Sequence, residues 1–98
     1  MQKLDKNGYA PSIMPHYEGC FVCGRQGDTA RHEIFHGPYR SKSKALGLWI
    51  RVCPSCHDAI HGGREGLDGL LKRRGRETAQ SVYGWTDDEF RYLFGKLY

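Results

Sequence analysis

With 98 residues the chain has room for one small domain, and we expect residues 1–98 to form it. A hydrophobic content of 39% argues against a disordered chain, and no apolar run is long enough to span a membrane. The net charge of +4 favours an anionic partner such as nucleic acid.

Residues 1–18 show neither a helical nor a strand period, and Gly8, Pro11 and Pro15 interrupt them. We predict an extended N-terminal arm that is held against the domain by four apolar side chains, Tyr9, Ile13, Met14 and Tyr17. The polar start of the chain lacks a hydrophobic signal-peptide segment, so we expect a cytoplasmic protein with no membrane partner.

All four cysteines fall in two C-x-x-C pairs, Cys20 with Cys23 and Cys53 with Cys56. This spacing brings two thiolates of one tight turn to the same ion, and two such turns complete a tetrahedral Zn²⁺ shell. In a reducing compartment this reading is favoured over disulfides. A rubredoxin-like iron site is the closest competitor, because C-x-x-C-G and C-P-x-C are both typical of it.

The zinc-binding core is predicted to span residues 19–63. Thr29–Phe35 is a candidate strand, Ser41–Gly47 is a basic loop or a single helical turn, and Leu48–Val52 is the clearest strand. A helix is expected to begin near Ser55 or Cys56, and Gly62-Gly63 would end it.

Residues 64–98 are predicted to be helical. Apolar positions at steps of three and four mark a first helix that ends near Gly84, with a stripe formed by Leu67, Leu70, Leu71, Thr78 and Val82. Thr86 and Glu89 have the spacing of a capping box, which predicts the start of a second helix.

The order of a cysteine pair, His32-Glu33-Ile34, a basic segment, a second cysteine pair and then His57 and His61 resembles the zinc-stabilised HNH endonucleases. These are also called ββα-metal or His-Me finger nucleases, and the chain resembles small phage-borne proteins of similar layout. The resemblance implies an α+β treble-clef zinc domain, to which we add the C-terminal helices. It also implies a structural Zn²⁺ on the cysteines and a second, catalytic ion, Mg²⁺ or Mn²⁺.

Two assignments of the catalytic residues stay open. In the first assignment, His32 is the base and Glu33 holds the metal. In the second, Glu33 accepts the proton and His32 binds the metal. Neighbouring residues on a regular strand point to opposite faces. His57 and His61 lie four residues apart and would share one face of a helix. His36 is close enough to serve as a spare ligand. The chain departs from the family pattern in the order of His32 and Glu33 and in lacking the central Asn.

The segment from Gly37 to Val52 contains no acidic residue, and its cations are the predicted phosphate contacts: Arg40, Lys42, Lys44 and Arg51. Together these features predict an endonuclease that cleaves DNA phosphodiester bonds. The alternative is a degenerate HNH or treble-clef module that binds nucleic acid, or a protein partner in a larger assembly, without catalysis.

Overall fold

A computed structural model describes residues 3–63 and 66–98 of the chain. Within these ranges the protein is α+β, with a two-stranded sheet, four α-helices and one 3₁₀ turn at Gly37–Tyr39. The radius of gyration is 13.1 Å, close to the value of about 13 Å expected of a compact domain of this length. The elements in chain order are β1 Ala30–Glu33, α1 Arg40–Ala45, β2 Trp49–Val52, α2 Pro54–His61, α3 Leu67–Tyr83 and α4 Asp87–Phe94.

Both predicted strands are present, each shorter than the sequence pattern indicated, and they pair antiparallel. His32 lies opposite Ile50, and Glu33 lies opposite Trp49. Because side chains alternate along a strand, His32 and Ile50 share one face of the hairpin while Glu33 and Trp49 share the other. The basic segment after β1 is helical over α1 rather than a loop.

The N-terminal arm crosses the face of the hairpin that carries Trp49. The ring of Tyr9 packs edge-on against Trp49, and the indole Nε1 of Trp49 donates a 2.8 Å hydrogen bond to the carbonyl of Ala10. Gly47 makes this approach possible, since it adopts φ 74° and a Cβ there would collide with the carbonyl oxygen of Pro11. Residues 1 and 2 of the predicted arm lie outside the described residues.

Helix α3 covers the predicted stripe and buries part of it. Leu71 of the stripe is buried, whereas Leu70 is 52% exposed and Val82 is 53% exposed. The buried positions of the helix are Leu71, Gly75 and Ala79. Two of them are small because the helix packs closely on the residues that follow β1: a Cβ on Gly75 would lie 3.0 Å from the side chain of Ile34.

Helix α4 begins as predicted, with a complete capping box. The hydroxyl of Thr86 accepts a hydrogen bond from the backbone N–H of Glu89, and the Glu89 carboxylate accepts one from the N–H of Thr86. Phe90 and Phe94 are fully buried and pack on Phe35, with ring centroids 5.6 and 4.5 Å away. The C-terminal helices therefore share one core with the strand that carries His32. Residues 64 and 65, the start of the predicted C-terminal segment, lie outside the described residues.

Candidate metal centres and the histidine cavity

The first cysteine pair lies in a tight turn before β1. Gly24 donates a 2.9 Å hydrogen bond to the carbonyl of Cys20 and adopts φ 76°, a conformation that glycine reaches without steric cost. The backbone N–H of Cys23 points at the sulfur of Cys20, at 3.5 Å. The turn therefore presents both thiols on its inner side.

The second cysteine pair opens α2. Cys53 is the residue before the first turn, with extended backbone, and Pro54 occupies the first helical position, where its missing N–H costs nothing. The helix thus begins one residue earlier than expected. Cys56 follows within the first turn, so both thiols face the turn that carries Cys20 and Cys23.

The four sulfur atoms form one cluster, with every pair within 4.8 Å. All four cysteines lie within the described residues and none forms a disulfide. Cys23 Sγ and Cys53 Sγ are 3.8 Å apart, and a tetrahedral shell with Zn–S bonds of about 2.3 Å places its sulfur atoms about 3.8 Å apart. The cluster is consistent with a structural zinc site.

The thiols have very unequal acidities. Burial alone would raise the pKa of Cys20, but hydrogen bonds from backbone N–H groups outweigh it and lower the pKa to about 6. Burial and hydrogen bonds to the other sulfur atoms raise the pKa of Cys56 to about 12. One thiolate therefore forms readily and opposes the ionisation of its neighbours. A divalent cation relieves this conflict, because it stabilises all four thiolates.

A second cluster of potential ligands takes two of its members from α2. His32 of β1 meets His57 and His61, and their ligand atoms all lie within 4.8 Å of one another. The Nε2 atoms of His57 and His61 are 3.1 Å apart, which follows from their spacing of four residues on one helix face. The three histidines predicted as site residues are thus brought together.

His32 is the buried member of this cluster, with 2% of its surface exposed. Its Nε2 makes no hydrogen bond with any described residue, which is costly for a buried polar atom. Burial, followed by electrostatic repulsion from His57, His61 and His36, lowers the pKa of His32 to about 4. The imidazole is therefore neutral at physiological pH, the form that coordinates metals.

Glu33 lies on the opposite face of the hairpin from His32, as the strand alternation predicted. Its two carboxylate oxygens are already occupied: Arg40 Nε donates a 2.5 Å bond to Oε1, and the Tyr9 hydroxyl donates a 2.6 Å bond to Oε2. Burial alone would raise the pKa of Glu33, but these two hydrogen bonds lower it below the ordinary value. Glu33 is thus an anion that holds Arg40, and it is outside the histidine cluster.

The histidine cluster opens into a cavity of about 330 Å³, roughly ten times the volume of about 30 Å³ that one water molecule occupies. His32 and Glu33 both line this cavity. They can do so although they lie on opposite faces of the hairpin, because β1 ends at Glu33. The residues that line it are Arg31, His32, Glu33, His36, Gly37, Arg40, His57 and His61.

The four predicted phosphate contacts do not all lie at this cavity. Arg40 lines it, whereas Lys42 donates a 2.7 Å hydrogen bond to the carbonyl of Leu93. Lys44 lies over the ring of Tyr9, at 4.7 Å, and Arg51 is exposed on β2. Arg31, which the sequence analysis did not single out, also lines the cavity.

Two further residues at the site were not predicted. Tyr9 reaches Glu33 from the arm, and Oδ1 of Asp68 in α3 accepts a 3.0 Å hydrogen bond from Nε2 of His36. Both pairs join residues more than twenty positions apart, and no local sequence signal could have found them.

Comparisons of the chain with protein-family models, with curated proteins and with solved structures found no match. Among the described residues, no helix has the length and apolar character needed to cross a membrane.

Proposed function

We propose that the protein is a metal-dependent endonuclease of the HNH type, with a treble-clef zinc site that folds the domain and a second metal at the histidine cavity. The observation that carries the proposal is the convergence of His32, His57 and His61 beside Arg40. An antiparallel hairpin and the following helix supply these ligands, which is the arrangement that the resemblance implies.

The donor set bears on which metal is bound. Three neutral imidazoles suit Zn²⁺, Ni²⁺ or Co²⁺, whereas Mg²⁺ prefers oxygen ligands. The buried Nε2 of His32 has a lone pair and no protein partner among the described residues, which fits a metal ligand. Of the two cations expected from the resemblance, Mn²⁺ fits these residues better than Mg²⁺.

A bound divalent ion would polarise the phosphate and stabilise the developing charge on the leaving oxygen. His32, His57 and His61 would hold the ion, and three protein ligands would leave coordination positions open. Arg40 stands at the cavity with a planar guanidinium suited to a phosphate group. The Glu33 carboxylate accepts a hydrogen bond from that guanidinium. The role of Glu33 is therefore to position Arg40 rather than to accept a proton.

The alternative, a zinc module that binds DNA without cleaving it, is favoured by one observation. Glu33 occupies the position of the family's base, and both of its oxygens are engaged by Arg40 and Tyr9. Such a module would bind DNA in a salt-sensitive manner through its basic residues.

Plasmid nicking tests the proposal. Supercoiled DNA is incubated with the folded chain, which keeps zinc at the four cysteines but has no metal at the histidine cavity, and Zn²⁺, Ni²⁺, Co²⁺, Mn²⁺ or Mg²⁺ is added in turn. We expect cleavage with the cations that imidazole prefers, and loss of cleavage in His32→Ala and His57→Ala. His16→Ala is the matched control, since His16 is exposed and outside both clusters.

Two results would contradict endonuclease activity at this site. One is the absence of cleavage with every cation, and the other is cleavage that persists in His57→Ala. Salt-sensitive DNA binding without cleavage would instead support the alternative, a zinc module that binds DNA without cleaving it.

A further inference from the structure

The cavity contains one more imidazole, His36, which is not part of the three-histidine cluster. Its ring centroid lies 6.0 Å from that of His32 and 5.6 Å from that of His61. The side chain is 37% exposed, so a molecule in the cavity can reach it.

His36 is held from outside the cavity by Asp68, in the first turn of α3. Nε2 of His36 lies 3.0 Å from Oδ1 of Asp68, and Nζ of Lys72 lies 3.0 Å from Oδ2. Both carboxylate oxygens therefore have a partner, and the imidazole is tied to a helix that packs on the core through Leu71 and Gly75.

This contact selects one tautomer of His36. Burial alone would raise the pKa of Asp68, but its hydrogen bonds with His36 and Lys72 lower the pKa below its ordinary value. Asp68 is therefore an anion that can only accept, so Nε2 of His36 carries the proton. The lone pair of the neutral ring is then on Nδ1, the nitrogen that Asp68 leaves available.

The other candidates for a proton acceptor are engaged elsewhere. His32, His57 and His61 form the ligand cluster, and both oxygens of Glu33 are hydrogen-bonded to Arg40 and Tyr9. His36 is the cavity imidazole that combines an orienting carboxylate with a position outside the ligand set.

We propose that His36 is the general base of the reaction and that Asp68 is its positioning residue. The inference rests on the proposed endonuclease function. A water molecule in the cavity transfers a proton to Nδ1 of His36 as its oxygen forms a bond to phosphorus. The P–O bond to the leaving sugar oxygen breaks, and that oxygen takes a proton from solvent. The products are an alcohol and a phosphate monoester, and the Asp68 carboxylate stabilises the imidazolium.

The first test uses single-turnover nicking with the full chain in excess over DNA and at saturating metal, together with steady-state nicking over a range of DNA concentrations. We expect His36→Gln to slow cleavage by about a hundredfold or more, since general-base catalysis contributes about 10²- to 10⁴-fold. Asp68→Asn keeps the size of the side chain and is expected to slow cleavage by about tenfold or more. Metal affinity and the apparent KM for DNA should be unchanged in both.

Lys72→Ala is the matched control. It removes an ion pair of Asp68 but leaves the His36–Asp68 contact, so cleavage should stay within about threefold of wild type if orientation of His36 is what matters. An equal loss of cleavage in Lys72→Ala and Asp68→Asn would overturn the positioning role, because a merely structural contribution of α3 would explain both.

The second test does not depend on activity. Long-range ¹H–¹⁵N NMR spectra of the Zn²⁺-loaded chain report the tautomer of each histidine. We expect His36 to be protonated at Nε2 in wild type and to become a mixture of tautomers in Asp68→Asn. An Nδ1-protonated His36 in wild type would overturn the assignment.

The outcomes separate this inference from the function it rests on. If wild type cleaves and His36→Gln cleaves equally well, the base assignment fails and the endonuclease stands. If His36→Gln loses the second metal, His36 is a ligand and the base assignment again fails. If wild type does not cleave DNA with any cation, the function and the base assignment fail together, whatever the tautomer.

Discussion

The two ligand clusters both take residues from the same short helix and differ in how they are enclosed. Of the four cysteines, Cys20 and Cys53 are buried, Cys56 is half-buried and Cys23 is exposed, and their sulfur atoms have one another as neighbours. The histidines instead open into a cavity lined by two arginines. Structural zinc sites are closed and fully ligated by protein, whereas catalytic sites keep a position open. This difference supports the proposed division, in which the cysteines fold the domain and the histidines carry the chemistry.

The largest expected effect is on the closed cluster. Cys53→Ala should abolish cooperative thermal unfolding, because structural zinc contributes about 10–16 kcal/mol to the folding of small domains. The cluster also joins the turn at Cys20 and Cys23 to α2. Circular dichroism melts check this, and metal analysis of the wild type should find zinc. A red protein containing iron, or a Cys53→Ala melt like that of wild type, would contradict the assignment.

Removal of the open cluster should leave the fold intact. His57→Ala is expected to melt within a few degrees of wild type while binding one metal equivalent fewer, since His57 is partly exposed and outside the apolar core. A metal titration monitored by calorimetry measures how many metal ions the variant and the wild type bind. If His57→Ala unfolded like Cys53→Ala, the division between the two clusters would be wrong.

A pair of glycines on α3 tests the packing that brings Asp68 to His36. Gly75→Ala should destabilise the protein by about 1–3 kcal/mol, because the new Cβ would lie 3.0 Å from Ile34 and 3.2 Å from Phe35. Gly69→Ala is the matched control on the same helix, with no atom within 4 Å of the new methyl, and should stabilise by about 0.5–1 kcal/mol. Denaturant unfolding distinguishes the two, and equal effects would show that α3 does not pack as described.

The smallest expected effect is at the capping box. Thr86→Ala should cost about 1 kcal/mol of unfolding free energy, since it leaves the N–H of Glu89 without its partner. Metal binding at both clusters should not change, because α4 contributes no ligand. Altered metal stoichiometry in Thr86→Ala would mean that α4 supports the sites more directly than its contacts indicate.

The features that the sequence predicted are those with local causes. The C-x-x-C spacing is a property of a single turn, the capping box involves residues three apart, and the spacing of His57 and His61 follows from helix geometry. The approximate positions of both strands followed from the same kind of local pattern.

What the sequence did not predict depends on contacts between distant segments. The buried face of α3 is marked by Gly75 and Ala79, which a search for large apolar residues passes over, because close approach to Ile34 requires small side chains. The partners of Glu33 and His36 come from the arm and from α3, at separations of 24 and 32 residues. Pairing at such separations is decided by tertiary packing.

The most direct test of the account is a crystal structure of the chain soaked with Ni²⁺, with anomalous data collected at the nickel and zinc edges. We predict a zinc peak among Cys20, Cys23, Cys53 and Cys56, and a separate nickel peak coordinated by His32, His57 and His61. Metal at the cysteines alone, with the histidine cavity empty at saturating Ni²⁺, would contradict the claim that this cavity is a metal centre.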